Sequence, residues 1–425
     1  MMCLFLNANE NIEVVKNKHI LFSQTTNPIC KIEFNSILNE ALGSHPSILM
    51  SENVIKGAQF QVDSAKWGYY PTPSLDISGT SASKRQTTFR LDQPIWTGGR
   101  LDAAYDKAKA QKDEALHSYD ENQYKLIENY LNTLKNYLQA KEKIKVLNEN
   151  KKQFNALMQM LDRMITAGIS SQTDKDLLNS RLANVYSDLV ITKAQLRVSK
   201  IQFEILTGKQ IDCNIDFKYK QIFADTIIIE KLIDNILEFH PALKMLDSKI
   251  KSAQIEVANS KSSLWPSLIL RGEHRSGTIY DEVKPESENL IYLTLNVSTG
   301  AGISALSNIN KSKVNVSKVR YEKLSKQKEL IDSLMNDYTN YISAKSHKKI
   351  VEKNIVTSKK IYESNQRLFS SQDKKWLDVV NSLSELNKQK ISDSKLSVDS
   401  KILEYKISLK TGRISLKTGE ILSDI

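Results

Sequence analysis

The side chains that do chemistry at neutral pH are present here, but their spacing fits no common reaction. Six histidines, His19, His45, His117, His240, His274 and His347, are dispersed through the chain. His45 and His240 each precede a proline, which is a positional role at a helix bend more than a catalytic one. Cys3, Cys30 and Cys213 form neither a disulfide framework nor a metal-ligand spacing. No H-E-x-x-H, Walker loop or G-x-S-x-G occurs. Thr97-Gly98-Gly99 and Thr299-Gly300-Ala301-Gly302 offer backbone N–H groups to a phosphate, but no Lys-Ser/Thr follows. Their glycines read instead as sharp strand-to-helix turns, at Gly98, Gly99, Gly300 and Gly302. No enzyme, cofactor or metal is expected. The remaining candidates are polar residues that alternate with apolar ones. Asp76, Ser78, Thr80, Arg90 and Asp92 do so in one stretch, and Tyr292, Thr294 and Asn296 in another. Period two places each set on one face of a strand, with water on that face and apolar surroundings on the other.

Those strands must be positioned by something long. The chain has 425 residues, 40% of them hydrophobic, with no apolar run long enough for a spanning helix. Proline is absent from 98–240 and 286–425. Both stretches are rich in Lys, Glu, Gln, Leu and Ala, which favours long helices. The net charge is +11, with acidic residues interspersed and no run of five basic residues. That reads as solvated helix surface, and no nucleic-acid partner is expected. Residues 1–33 form a segment in which Met1–Leu6 is too short for a secretory signal.

The chain reads as two copies of one plan, with repeats at 34–215 and 216–413 and a tail at 414–425. His45-Pro46 recurs as His240-Pro241, and Pro71 as Pro266, both at an offset of 195. Thr97-Gly98 recurs as Thr299-Gly300, and Asp176 and Asn179 as Asp378 and Asn381, at an offset of 202. One step in an otherwise constant offset marks a duplication with a loop insertion. Each copy predicts a helix (36–66, then 230–261), a strand hairpin, and a long helical hairpin. The long helices fall at 100–166 and 172–207, then at about 303–369 and 373–411. Around 65 residues at 1.5 Å each reach roughly 100 Å, far more than a compact core needs. Trp67, Tyr69, Tyr70, Trp96, Trp265 and Tyr280 fall near the strand ends, where aromatics suit a membrane interface. Ser408–Gly412 repeats as Ser415–Gly419 with no function assigned.

At this point the chain resembles the TolC-like outer-membrane efflux and secretion channels, over about residues 34–413. The resemblance is carried by Pro71-Thr72-Pro73-Ser74-Leu75, by Leu91-Asp92-Gln93-Pro94-Ile95-Trp96-Thr97-Gly98-Gly99, and by Lys375-Trp376-Leu377-Asp378-Val379-Val380-Asn381. The last is most similar to members serving type I secretion. The resemblance implies a mainly α fold with a small β part. Four strands per chain would enter a twelve-stranded barrel in a homotrimer, above a helical tunnel. It implies outer-membrane lipid around the barrel, a periplasmic adaptor, and an inner-membrane ABC or other transporter. It also implies a periplasmic gate. Asp378 matches a ring carboxylate, with Asn381 where a second Asp can sit, and Asp176 matches an Asp that pairs with an Arg. Lys374 replaces that Arg, which weakens the latch because an ammonium lacks the bidentate fork. The competing reading is a soluble or periplasmic coiled-coil scaffold or adaptor without a pore.

Overall fold

The computed structural model describes residues 31–79, 85–209, 214–223, 228–277, 287–297, 304–371, 373–418 and 420–421. A short strand β1 (Lys31–Glu33) leads into α1 (Phe34–Ser44) and α2 (Pro46–Trp67). The hairpin β2 (Thr72–Gly79) and β3 (Arg85–Trp96) follows, then the long hairpin α3 (Arg100–Thr166) and α4 (Gln172–Thr207). After β4 (Asn214–Asp216) the order recurs: α5 (Ile229–Phe239), α6 (Pro241–Ser262), β5 (Ser267–Ser276), β6 (Ser287–Asn296), α7 (Ser304–Ser370) and α8 (Trp376–Lys410).

The single short helix expected at the head of each copy is two helices. His45 is extended at φ −66°, ψ 131°, because a residue preceding proline is pushed out of the helical region. Its ring then caps the next helix, with Nδ1 accepting from the Ser47 N–H at 3.3 Å. His240 repeats the device, accepting from Ala242 N–H at 3.3 Å. The bend thus ends one helix and starts another without leaving its first N–H groups orphaned.

α3 and α7 each run 67 residues, about 100 Å at the standard rise. Neither has one continuous core. α3 instead buries two separate stripes at helical spacing. Tyr124, Ile127, Tyr130, Leu131, Leu134 and Tyr137 meet α1, Phe203 of α4 and Ile402, Tyr405 and Leu409 of α8 in a belt. Leu147, Phe154, Leu157 and Leu161 meet Leu178 of α4 and Trp376, Val379 and Leu383 of α8 near the far tip. A third cluster seats α5 and Leu243 of α6 on Leu330, Leu334 and Tyr341 of α7. The helices pack side by side, α2 on α3, α3 on α6 and α6 on α7. Towards the tip the neighbours are α4 on α3, α3 on α8 and α8 on α7.

The two hairpins join. One four-stranded sheet runs β2-β3-β5-β6, antiparallel throughout, with the central β3–β5 pair crossing the duplication. In the belt β1 pairs parallel with β4, a contact between strands of three residues that no alternation pattern could announce. Tyr137 Oη accepts from Ile215 N–H at 3.1 Å and ties β4 to α3. Beside it the loop 217–223 hangs on Glu404, which is 1% exposed. Its carboxylate accepts from the Ile222 and Phe223 N–H groups at 2.7 Å each and from the Tyr219 hydroxyl.

Candidate functional site: a two-faced sheet, its collar and the helical tip

The pairing register sorts the sheet's residues, since directly opposed residues share a face. Leu75, Ile77, Phe89, Leu91, Leu270, Ile291, Leu293 and Leu295 fall on one face. They are between 38% and 81% exposed, so none of the described residues covers this apolar band. The opposite face carries charge. Arg271 grips Asp92 through Nε and Nη2 at 2.7 and 2.8 Å, and Arg90 Nη1 reaches Asp76 at 2.5 Å. Glu273, 5% exposed, accepts from Arg275 at 2.7 Å and from the Tyr292 hydroxyl at 2.8 Å, with Arg90 at 3.5 Å. Guanidinium–carboxylate pairing of this kind fixes geometry as well as charge.

Asp76, Arg90, Asp92 and Tyr292 of the expected polar set therefore lie in this network. Thr80 lies outside the described residues. Arg271, Glu273 and Arg275 are not among the expected residues, because Gly272 and His274 break the apolar alternation of β5. Their signal is charge at every second residue, 271, 273 and 275.

Where sheet meets helices the expected aromatics gather. Trp67 and Tyr70 are 5.2 Å apart between ring centroids, and Trp96 stands edge-on to Trp265 at 6.4 Å. Tyr69 donates its hydroxyl to Asp102 at 2.7 Å, and Gln93 Nε2 donates to the Tyr69 carbonyl at 3.0 Å. Trp67 and Trp265 remain 69% and 62% exposed. The turn depends on Gly98, at φ +61°, where a Cβ would stand 2.4 Å from Trp265 Cβ. Gly99 follows at φ +83° as the N-cap of α3. Gly300, Gly302 and Tyr280 lie outside the described residues.

At the tip the two helical hairpins share one apolar cluster, in which Trp376 packs on Phe369 at 5.0 Å. A capping box at Ser171 and Asp174 opens α4. Asp378 sits half-buried in the first turn of α8, where the helix dipole favours a carboxylate. Its backbone carbonyl accepts from Asn365 Nδ2 at 3.3 Å. Asp176, Lys374 and Asn381 are exposed. Among the described residues Asp176 and Lys374 form no ion pair with each other. Asp162, not Asp176, takes the nearby Lys175, at 2.7 Å.

Comparison with known proteins adds the following. Residues 37–209 match the model of the outer membrane efflux protein family. Comparison with curated proteins finds no match. Among solved structures, the channel-forming CusC is 11% identical, with a TM-score of 0.77 over 89% of this chain and 91% of that one. The outer membrane protein VceC of Vibrio cholerae is 12% identical, with a TM-score of 0.76 over 89% and 96%. The CmeC outer membrane channel of Campylobacter jejuni is 14% identical, with a TM-score of 0.74 over 92% and 87%. At such identities the likeness is one of fold.

Proposed function

We propose, from the premise that this chain is TolC-like in fold and matches the outer membrane efflux protein family over residues 37–209, that three copies close into one export duct through the outer membrane. The single observation that carries this is the pair of unmatched edges. β2 and β6 are the sheet's two outer strands, and among the described residues each has one unpaired side. Both edges of the helical layer carry exposed apolar residues: Phe60 on α2, Val190 and Ile205 on α4, and Val314, Tyr321 and Val356 on α7. Strand directions alternate across the sheet. β6 of one copy therefore meets β2 of the next antiparallel, and the same holds for α7 against α2.

Head-to-tail joining of unlike edges closes a ring without leaving a strand edge. Two copies would make an eight-stranded barrel, whose interior side chains fill. Three copies make the smallest ring with a water path. Lipid then surrounds the apolar face, and the Arg–carboxylate face lines the lumen.

The tip serves as the periplasmic gate, with three copies of Asp378 around the axis attracting cations. In this reading Asp176 and Lys374, both exposed within one chain, pair across the joint between copies. Such an exposed pair contributes only about 0.2–1 kcal/mol, which suits a latch that a partner opens. Nothing in the sequence binds nucleotide, so the work comes from an inner-membrane transporter coupled through a periplasmic adaptor. The stretch Lys375–Asn381 supports type I protein secretion as the task. The family description favours small-molecule efflux as the second reading.

The test is fractionation, a denaturing gel with and without heating, and planar-bilayer recording. An outer-membrane species three times the 48.3 kDa chain, heat-labile and conducting, is expected. A non-conducting soluble monomer would end the proposal. Loss of a secreted protein, as against loss of drug resistance, in a deletion strain separates the two cargo readings.

A further inference from the structure

Below the aromatic collar, a groove of about 810 Å³ runs between α6 and α7 from the first residue of α3. Ser263, Asn259, Ser312 and Asn315 line it with hydroxyl and amide groups. Arg100, Lys311 and Lys318 line it with positive charge. It continues downward past Lys107 and Lys249. The two acidic residues along this course are already engaged, Glu256 by Lys107 at 2.7 Å and Glu322 by Lys249 at 2.9 Å. Arg100, Lys311 and Lys318 form no ion pair among the described residues, although the Glu322 carboxylate held by Lys249 also feels Lys318. Three cations outside any ion pair therefore line a concave strip in which Val314 is the one apolar lining residue.

That donor set has a defined preference. The guanidinium, the two ammonium groups and the Asn259 and Asn315 amides can donate, while the Ser263 and Ser312 hydroxyls already donate to the Ser260 and Asn308 carbonyls. A compact oxyanion with several acceptor oxygens satisfies them best, and phosphate does so more fully than a carboxylate. Position adds to this. Ser263 caps α6 two residues before the exposed Trp265, so the upper end of the groove abuts the collar. Lys318 lies fourteen residues into α7 from Ser304, roughly 20 Å lower at the helical rise.

We infer that this groove binds a phosphate-bearing anion, either the headgroup of a membrane glycerophospholipid or a soluble phosphate. Only the lipid source rests on the membrane reading above; binding of free phosphate does not.

The experiment uses the full chain purified in detergent, with three proteins compared. They are the wild type, R100Q/K311Q/K318Q, and a control, K313Q/K328Q/K353Q, which removes the same charge from exposed positions elsewhere on α7. One arm adds mixed micelles of phosphatidylglycerol or phosphatidylcholine and measures retained lipid phosphorus. The other titrates inorganic phosphate at constant ionic strength and follows thermal stability. The expected result is preferential retention of phosphatidylglycerol by wild type and control, weakened about tenfold in the groove variant. A response to inorganic phosphate alone, lost in the groove variant, keeps the site and names the soluble source. Equal binding by all three proteins in both arms overturns the inference. Equal loss in groove variant and control also overturns it, because the effect would then be bulk charge. An unchanged melting temperature of the unliganded variant separates loss of binding from loss of fold.

Discussion

Replacing Asp337 by alanine should loosen the joint between α7 and the end of α8 more than any change to a surface ion pair. Lys410, the last residue of α8, is only 4% exposed. Its ammonium donates to Asp337 Oδ2 at 2.5 Å, to Ser333 Oγ at 2.6 Å and to the Ser333 carbonyl at 3.1 Å. Three donors meet three acceptors, so the group is satisfied only as a set. A turn earlier on α8, burial pushes the Lys406 amine below its ordinary pKa; Asp337 opposes that shift and Lys410 adds to it. Without Asp337, two ammonium groups face each other in a desolvated joint. Removing one partner of a buried pair costs about 3–5 kcal/mol. Lys410→Met should cost less, about 1–2 kcal/mol, because the Asp337 side chain is 18% exposed and can hydrate. The double variant D337L/K410M, which removes both charges and keeps the volume, should return to within ~1 kcal/mol of wild type. Urea unfolding of wild type, D337L, K410M and D337L/K410M, followed by circular dichroism, gives the four corners of a cycle, with an expected coupling of at least about 3 kcal/mol. Additive effects, or a D337A cost below ~1 kcal/mol, would refute the claim that Lys410 depends on this partner.

Three further outcomes are expected. Burial among Tyr124, Lys326 and Lys410 pushes the His240 imidazole down to about 4 from 6.5. The folded chain therefore resists a proton that the unfolded chain accepts, and stability is full above pH 6.5 and falls as pH drops towards 4. The loss is of order 3 kcal/mol at the low end, and His240→Asn, which keeps the cap, should flatten that slope in urea melts. Gly412→Ala puts a Cβ 2.5 Å from the Phe239 ring at φ +77°, so it should cost more than ~2 kcal/mol, whereas Gly43→Ala, with open space around it, should not destabilise. Asp378→Ala should lower cation selectivity in planar bilayers, and unchanged reversal potentials would remove Asp378 from the constriction.

Much of the architecture was legible because its signals are long and local. The helices 100–166 and 172–207 occur where the Pro-free stretches and the Gly98-Gly99 turn place them. Period two marked the polar residues Asp76, Arg90, Asp92 and Tyr292. The same rule applied to Arg271, Glu273 and Arg275 would have found their partners. Gly272 and His274 interrupt the apolar side of that strand and hide its period. Helix count at each repeat head was misjudged because a proline bend and a helix break look alike until backbone angles are known.

The sequence by itself determined the recurring order of elements, the rod-like helices and the two-faced strands, since each depends on spacing along one segment. Only the tertiary structure decided which segments meet. It joined β3 to β5 across the repeats, set β1 beside β4, and buried Lys410 against Asp337. It also made two structures from one pentapeptide. Ser408–Gly412 is the buried C-terminal turn of α8, while residues 415–418 of the second copy form the turn between Ile414 and Ile421. The reason is the same each time: pairing across long separations leaves no period in the chain, and burial is a property of the neighbours a residue acquires.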